Sequence, residues 1–279
     1  MPDLLTRIDE ELLVSYSDVA AWKQTDCMHF HNGYELVLGV HAENECFLRD
    51  TGYPFVDRTL FFVPAQQMHI IKYKTEVPYA RYVVNFADGF IRQTLTAMGC
   101  PGLLEMLSSQ NCLCVQLTPQ QYSPVQQMVH AVYRAFRSGD SAQARGWLSL
   151  LLMETARLLQ EGELPALRQA SAPEKLVREA VRWLDENYAQ DVALEQLAAR
   201  LFVSKYYLSH VFREITGSGV IDYLQCRRIL EAQKLLMRGG LDNQQVAVRC
   251  GFHNMQHFYR VFRRVSGDTP GQYRLPEET

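Results

Sequence analysis

Four polar side chains in the N-terminal third have types and a spacing that could hold a ligand. His29, His31 and Glu35 form the pattern H-x-H-x3-E, and His69 follows Pro64 by five residues. On adjacent strands, three imidazoles and one carboxylate would converge on one point, where they could bind a divalent metal ion or hydrogen-bond a polar molecule. We refer to His29, His31, Glu35 and His69 as the histidine cluster.

The sequence leaves three uses of the histidine cluster open. They are a pocket for a polar organic effector, a structural or sensory metal site, and an ordinary set of buried polar side chains. The effector pocket is favoured, with Tyr34 and Tyr82 as aromatic walls on which a sugar or another small polar ligand could stack. No cofactor is predicted.

A second chemically distinctive segment lies near the C-terminus, where the charge changes sign. Residues 200–274 carry 12 basic and 5 acidic side chains, whereas residues 1–173 carry 13 basic and 18 acidic ones. Because the whole chain has a net charge of −3, this basic segment predicts a polyanionic partner for itself alone. The asymmetry also predicts two domains.

Short alternating segments must position the histidine cluster. Runs rich in β-branched and aromatic residues predict strands at 35–40, 45–48, 59–63, 69–73 and 80–86. Two amphipathic helices are predicted at 124–137 and 141–160, joined at Gly139. The predicted fold class is therefore α+β, with an N-terminal β-barrel, two following helices and an all-α C-terminal domain.

The predicted barrel resembles a cupin, a small β-barrel that often holds a metal ion. The resemblance rests on the H-x-H-x3-E pattern and on the pair Pro64 and His69. Lys23, Ala42 and Gln66 stand where the cupin motifs usually carry glycine. This departure weakens the expectation of a metal site.

A linker is predicted between two domains. Residues 161–173 show neither the strand period nor the helix period and contain prolines near both ends. We therefore expect domains at 1–160 and 174–279, the second entirely helical.

The C-terminal domain contains an internal repeat. The positions shared at an offset of fifty residues are Val211–Arg213 with Val261–Arg263, Gly217 with Gly267, and Tyr223 with Tyr273. Upstream, residues 197–200 recur as 246–249 at an offset of forty-nine, so the second copy has one extra residue in its turn. Each copy predicts a helix-turn-helix, and a helix of about eighteen residues joins the two.

One face of the second helix in each copy carries hydrogen-bonding and basic side chains. A helix fits the major groove of DNA, where such groups contact base edges and phosphates. The candidate DNA-binding residues are Lys205, Tyr206, Ser209, His210, Arg213, Met255, Gln256, Tyr259, Arg260, Arg263 and Arg264. We expect one chain to contact two successive major grooves of double-stranded DNA.

The same segment resembles the AraC/XylS family of transcription regulators. The resemblance covers about a hundred residues, chiefly Leu194–Ala198, Tyr223–Ile229, Gly251–Phe252, Phe258–Arg263 and Gly267–Pro270. It implies base-edge contacts from Tyr206, Ser209, His210, Met255, Gln256, Tyr259 and Arg260, and phosphate contacts from Arg213, Arg263 and Arg264. Ala193 departs from the family, where a serine or threonine cap is usual, so the first short helix is expected to fray.

The resemblance also implies a function. It predicts a bacterial, cytoplasmic regulator that responds to a small-molecule effector, and an activator rather than a repressor or an enzyme. It further implies RNA polymerase as a partner and a homodimer through residues 124–160, with Trp147, Leu151 and Leu158 as contact candidates. Packing of these helices against their own barrel is the alternative.

Two other functions stay open. One is a metal-binding cupin enzyme or metal sensor fused to a DNA-binding domain, and the other is an architectural DNA binder that needs no effector. No membrane-spanning segment or secretory signal is recognisable, and seven irregularly spaced cysteines predict reduced thiols. The chain is therefore expected to remain in the cytoplasm.

Overall fold

The N-terminal domain is built from strands and a layer of helices. The computed structural model describes residues 11–18, 29–48, 51–72, 80–109, 114–161 and 171–273. The strands are β1 (Leu12–Asp18), β2 (Tyr34–His41), β3 (Glu43–Leu48), β4 (Thr51–Val56), β5 (Thr59–Val63), β6 (His69–Lys72), β7 (Ala80–Phe86) and β8 (Cys114–Gln116). The predicted strands are confirmed, whereas β1, β4 and β8 were not predicted.

The strands form two facing antiparallel sheets. Five strands pair in the order β1-β7-β2-β5-β8, and three pair in the order β4-β3-β6. The rings of Tyr53 and Phe55 from β4 lie 5.9 and 5.5 Å from the ring of Phe61 in β5. Side chains of the hydrophobic core therefore pack between the sheets.

The predicted closed barrel is not observed in the described residues. No ladder joins the two sheets there, and β6 meets the segment before β2 only through an isolated bridge between His29 and His69. The strands therefore form a sandwich.

Helices pack on the five-stranded sheet. They are α1 (Asp88–Ala97), α2 (Leu103–Ser109), α3 (Pro119–Ser138) and α4 (Ser141–Glu161). The predicted antiparallel pair is α3 and α4, joined at Gly139 in the left-handed conformation with φ 73°. Helix α3 begins earlier than predicted because Thr118 and Gln121 form a capping box. Helices α1 and α2 were not predicted, so the sheet is followed by more helices than the two expected.

Helix α5 (Ala172–Asn187) opens the C-terminal domain and also contacts the sandwich. Ser171 caps it, and Pro173 sits in its first turn. Most of the predicted linker, residues 162–170, lies outside the described residues. Along β3 and β6, Phe47 and Ile70 face away from the sandwich core and join the apolar cluster that contains Val177 and Val181 of α5. This face of the three-stranded sheet therefore contacts α5.

The remaining helices confirm the predicted repeat. They are α6 (Leu194–Arg200), α7 (Lys205–Thr216), α8 (Val220–Arg238), α9 (Asn243–Arg249) and α10 (Met255–Ser266). Matching positions form the core of both copies, namely Leu197, Ala198, Leu208, Val211, Phe212, Ile215, Val246, Ala247, Phe258, Val261, Phe262 and Val265. Both copies end with a left-handed glycine, Gly217 or Gly267.

The connecting helix α8 is part of the core as well as a spacer. Its 19 residues span roughly 28 Å. It buries Tyr223, Ile229 and Leu236 almost completely and contacts α5, α7, α9 and α10. The relative position of the two helix-turn-helix units is therefore fixed by packing.

Capping distinguishes the two copies. Asp242 and Gln245 form a capping box at the start of α9, whereas Ala193 supplies no side-chain cap to α6. Helix α6 thus lacks a side-chain cap, and its fraying stays a prediction. No described helix of the chain combines the length and the apolarity that crossing a lipid bilayer requires.

Candidate nucleic-acid interface and buried histidine site

Helix α7 presents the first candidate DNA-binding face. Ser204 accepts a hydrogen bond from the Tyr207 amide and so fixes the start of the helix. Tyr206 is 78% exposed, and His210 and Arg213 are exposed on the same helix, while Lys205 and Ser209 are partly buried. An aromatic side chain left this exposed on a well-packed helix is available to a partner.

Helix α10 presents the second face. Asn254 caps it in the position that Ser204 occupies in the first copy. The exposed side chains are Gln256, Tyr259, Arg260, Arg263 and Arg264, and Met255 is partly buried. All eleven predicted DNA-binding residues therefore lie on α7 or α10. Lys205 and Met255 are the first residues of these helices, and the other nine follow them.

The charges on these faces differ in how far they are neutralised within the domain. Lys205 pairs with Glu195 at 2.9 Å, and Arg264 contacts Asp222 at 3.6 Å and also bonds Gln225. Within the described part of the chain, Arg260 and Arg263 form no ion pair. The exposed Arg213 of α7 forms no ion pair in the same described residues either, so these three guanidinium groups are well placed to bind an external anion.

The electrostatic field at α10 is positive. Burial lowers the pKa of His257, and the nearby charges of Arg260, Arg228 and Arg264 lower it further. A surface with this field attracts DNA phosphates.

The turn of the first copy contains a feature that the sequence reasoning missed. Phe202 is 96% exposed and has a φ of 57°, in the left-handed region, where the second copy has Gly251 with a φ of 79°. An exposed aromatic residue in this conformation is unusual. It borders an open groove of about 650 Å³ that is also lined by Trp183 and Arg200. The repeat itself could have revealed this feature, because at the offset of forty-nine residues Phe202 aligns with Gly251.

The second candidate site lies inside the sandwich. His31, Glu35 and His69 are all buried, and one ligand atom from each lies within 4.8 Å of the others. The Nε2 atom of His31 is 3.3 Å from Glu35 Oε2, and the Nε2 atom of His69 is 3.8 Å from Glu35 Oε1. Most of the predicted histidine cluster is thus brought together.

Backbone pairing explains why these residues meet. The segments 29–31 and 66–69 are joined by hydrogen bonds from His29 N to His69 O (3.0 Å), from His69 N to His29 O (2.8 Å) and from Gln66 N to His31 O (2.8 Å). Gln66 has a φ of 59°, which is the conformation that glycine would supply in the cupin motif. The missing glycine therefore does not prevent the local fold.

Each buried imidazole is oriented by a main-chain carbonyl. His31 Nδ1 lies 2.7 Å from Gly33 O, and His69 Nδ1 lies 2.9 Å from Gln67 O. Since a carbonyl oxygen only accepts hydrogen bonds, Nδ1 is the donor in both rings. Their Nε2 atoms are buried and lack a hydrogen bond of acceptable geometry.

The charges inside the sandwich are set by competing effects. Burial alone would raise the pKa of the Glu35 carboxyl, but the contact with His31, the positive charge that His31 and His69 carry when protonated in acid, and the charge of Arg81 hold it well below its usual range. Burial lowers the pKa of His69 well below its ordinary value, and the neighbouring His29 adds to this. The site therefore contains a carboxylate beside a neutral imidazole at neutral pH.

Two predicted effector residues lie elsewhere. Tyr34 stacks on Phe62 and Phe86 with ring centroids 5.8 and 5.4 Å away, and Tyr82 bonds His130 of α3. Both face the helical layer because neighbouring residues of a strand point to opposite sides of the sheet. The prediction that they line the same site as Glu35 is wrong.

Other residues complete the interior of the sandwich. Asn85 pairs with Glu35 in the strand register, and Arg81 lies on the same face of β7. Both are buried, and Arg81 carries charge that acts on Glu35. His29 is only partly buried, with its ring 4.3 Å from that of His69, and it lies outside the group of three close ligand atoms.

Comparisons with known proteins agree with the C-terminal geometry. A family model described as a helix-turn-helix domain matches residues 197–275. The regulator YijO of Escherichia coli (strain K12) is 33% identical over 129 residues, which are 43% of this chain and 46% of YijO. The transcriptional activator RhaS of Shigella sonnei (strain Ss046) is 24% identical over 254 residues, 88% of this chain and 86% of RhaS.

A solved structure is also similar. The C-terminal domain of AraT, a response regulator from Geobacillus stearothermophilus, is 30% identical, and the match covers 39% of this chain and 94% of that domain with a TM-score of 0.37.

The alignment with YijO spans about half of that protein, whereas RhaS is matched along most of its length. The curated relatives are transcription regulators and not enzymes. Residues 197–275 therefore match a helix-turn-helix domain, and these similarities support the resemblance of the chain to the AraC/XylS family of transcription regulators.

Proposed function

We propose that the chain activates transcription by inserting α7 and α10 into two successive major grooves of one DNA duplex. The observation that carries this proposal is the duplicated helix pair, whose exposed faces hold Tyr206, Arg260 and Arg263. Both second helices belong to one packed domain through α8, so the two contacts form together. Because its partner is promoter DNA, we place the protein in the cytoplasm of a bacterium.

An effector bound between the two sheets would regulate this activity. Buried Glu35, Arg81 and Asn85 share one face of the sandwich, which would provide hydrogen-bonding groups for a small polar molecule such as a sugar. The sandwich also contacts α5 of the DNA-binding domain. An effector that favours one arrangement of the two domains would therefore change the affinity for DNA.

Activation implies contact with RNA polymerase. RhaS, matched over most of its length, is a transcriptional activator, which favours activation here. Phe202 projects from the DNA-binding domain beside an open groove, and it is the side chain best suited to a protein contact of this kind.

DNA selection tests the proposed function. The purified full chain is incubated with a library of random duplexes, and bound DNA is amplified and sequenced over several rounds. We expect one enriched site with two half-sites whose centres lie about 10 base pairs apart. Sugars and related polar molecules are then added to find one that changes the affinity for that site. A library with no enriched sequence, even at low salt, would contradict sequence-specific binding.

We further propose that α4 forms a homodimer through an exposed apolar stripe. Trp147, Leu150 and Met153 are 40%, 43% and 37% exposed at a spacing of three residues. The candidates Leu151 and Leu158 are fully buried and contribute to the core of their own domain instead. Only Trp147 of the three predicted contact residues is therefore at the surface.

Replacement of Leu150 tests the dimer. We expect Leu150→Glu to weaken self-association at least tenfold, because a charge would have to be buried in the apolar interface. Light scattering coupled to gel filtration over a range of concentrations measures this. Met98→Glu, at an apolar residue of similar exposure outside α4, is the control. Equal self-association of both variants would contradict a dimer through α4.

A further inference from the structure

We propose that His31, Glu35 and His69 bind one divalent transition-metal ion, and that this ion strengthens the docking of the sandwich on helix α5. The role in regulation rests on the proposed function, whereas metal binding itself does not. The inference starts from the tautomers and burial of the two imidazoles.

Both imidazoles are oriented as metal-binding histidines are. Their Nδ1 atoms donate to the carbonyls of Gly33 and Gln67, so in the neutral rings the Nε2 atoms carry the free lone pairs. Ligand histidines are commonly held in this way, with the second nitrogen hydrogen-bonded to a carbonyl. One ligand atom from each of His31, Glu35 and His69 lies within 4.8 Å of the other two, close enough for all three residues to share one ion.

The site is unfavourable without a ligand. The Nε2 atoms of His31 and His69 are buried and have no hydrogen-bond partner of acceptable geometry. Buried polar atoms of this kind destabilise a protein unless something satisfies them. A single ion would satisfy both nitrogens and balance the buried negative charge of Glu35 at once.

The donor set selects the class of metal. Two imidazole nitrogens and one carboxylate suit Zn²⁺, Fe²⁺, Co²⁺ and Ni²⁺, whereas Mg²⁺ and Ca²⁺ prefer oxygen ligands alone. The ring of His29 lies 4.3 Å from that of His69, close enough for a small rotation to bring it into the site. Solvent, His29 or an effector oxygen would occupy the remaining positions.

The ligand residues alternate with residues that touch the DNA-binding domain. Phe30 precedes His31, and Met68 and Ile70 flank His69. These three apolar side chains are buried in the cluster that contains Val177 and Val181 of α5. Because adjacent residues in extended backbone point in opposite directions, each ligand faces the sandwich while its neighbour faces α5.

A close contact supports this docking. The Arg178 guanidinium of α5 lies against Gly52 in β4, so that a Cβ atom at position 52 would come within 3.1 Å of its Nη2 atom. An ion that joins His31 to His69 also joins the two segments that carry Phe30 and Met68. The ion would therefore make the surface under α5 more rigid and favour the docked arrangement.

Metal binding to the full chain tests the proposal. The protein is stripped with a chelator, exchanged into clean buffer and titrated with Zn²⁺ in a calorimeter. We expect one ion per chain, about a hundredfold weaker binding by Glu35→Gln and by His69→Asn, and unchanged binding by the controls Glu43→Gln and His41→Asn. The control residues lie on the same strands or next to them and are exposed.

A second measurement covers the case in which the ligand variants fail to fold. Co²⁺ added to the unmodified chain should produce visible absorption bands that Zn²⁺ abolishes. Amide hydrogen exchange in α5 should slow at least threefold when Zn²⁺ is added. Absence of the bands, or Zn²⁺ binding by Glu35→Gln as tight as that of the parent, would overturn the metal site. Unchanged exchange in α5 would overturn the coupling.

The outcome is separable from that of the proposed function. DNA selection by the chelator-treated protein reports on α7 and α10 alone. Enrichment of a DNA site without any Zn²⁺ binding would remove the metal site and leave the regulator in place. Stoichiometric Zn²⁺ binding without an enriched DNA site would support the metal site and contradict sequence-specific DNA binding.

Discussion

Arg260→Ala is expected to lower the affinity for the selected DNA site by about 1–3 kcal/mol and to relax base preference in one half of that site. Arg263→Ala is expected to weaken binding to specific and random DNA alike and to reduce the salt dependence by about one unit of slope. Both arginines are exposed on α10, so neither change should disturb folding.

The reason for this difference lies in where each side chain leaves the helix. Arg260 follows Tyr259 and stands one turn after Gln256, on the central part of the face assigned to base edges. Arg263 lies in the last turn, nearer to the end of the helix, where a side chain reaches the DNA backbone more readily than a base. A guanidinium bonded to a guanine edge discriminates between bases, whereas one bonded to a phosphate does not.

Fluorescence anisotropy with the selected duplex and a scrambled duplex, each at several salt concentrations, measures both effects. Arg137→Ala, at an exposed arginine in the last turn of α3, is the matched control and should leave every affinity unchanged. Equal losses on both duplexes for Arg260→Ala would contradict its assignment to a base edge.

The helix-turn-helix units were predictable because the sequence contains two copies of the same pattern. A pattern such as Val211–Arg213 has little meaning alone, but its recurrence at Val261–Arg263 indicates one supersecondary unit used two times. The helical period then assigns the buried face, and the core residues of both copies follow. The conformation of the turn was less accessible, because Phe202 takes a backbone conformation that its residue type does not favour.

The sandwich was predicted less completely. Strands β2, β5 and β7 are strongly apolar. The described parts of β8 and α2 have only three and seven residues, which is too short for a period to be recognised. The pairing of strands also depends on contacts between residues far apart in sequence. For this reason the sequence could place His31 and Glu35 together but could not assign Arg81 and Asn85 to the same interior.

The error at Tyr34 has a simple cause. Glu35 and Tyr34 are neighbours in sequence, and the sequence interpretation assigned both to one pocket for that reason. In a strand they lie on opposite faces, so Glu35 faces the other sheet while Tyr34 packs under α1 and bonds Asp88 at 3.5 Å. A strand period applied to each candidate residue would have separated the two.

Gly251→Ala is expected to destabilise the DNA-binding domain by about 3 kcal/mol or more. Gly251 has a φ of 79°, and alanine in the left-handed region costs about 1–2 kcal/mol by itself. In addition, a Cβ atom there would lie 2.8 Å from Ala189 O and 3.0 Å from Tyr188 O, distances at which the backbone must move.

The neighbouring turn cannot easily yield. Arg228 of α8 donates from Nε to Tyr188 O and from Nη2 to Gln190 O, each at 2.7 Å. Displacing the carbonyl of Ala189 would therefore strain two charge-assisted hydrogen bonds as well. This contact joins α5, α8 and the second helix-turn-helix, so its loss should also weaken specific DNA binding.

Urea unfolding followed by circular dichroism measures the change in the free energy of unfolding. Gly267→Ala is the matched control, since Gly267 has a φ of 76° but no heavy atom would lie within 4 Å of its added Cβ. It should lose only the 1–2 kcal/mol that the left-handed backbone costs. If the two variants lost equal stability, the close approach of Gly251 to the turn after α5 would carry no energetic weight. A larger loss for Gly251→Ala would show that this turn holds the second DNA-binding unit against the rest of the domain.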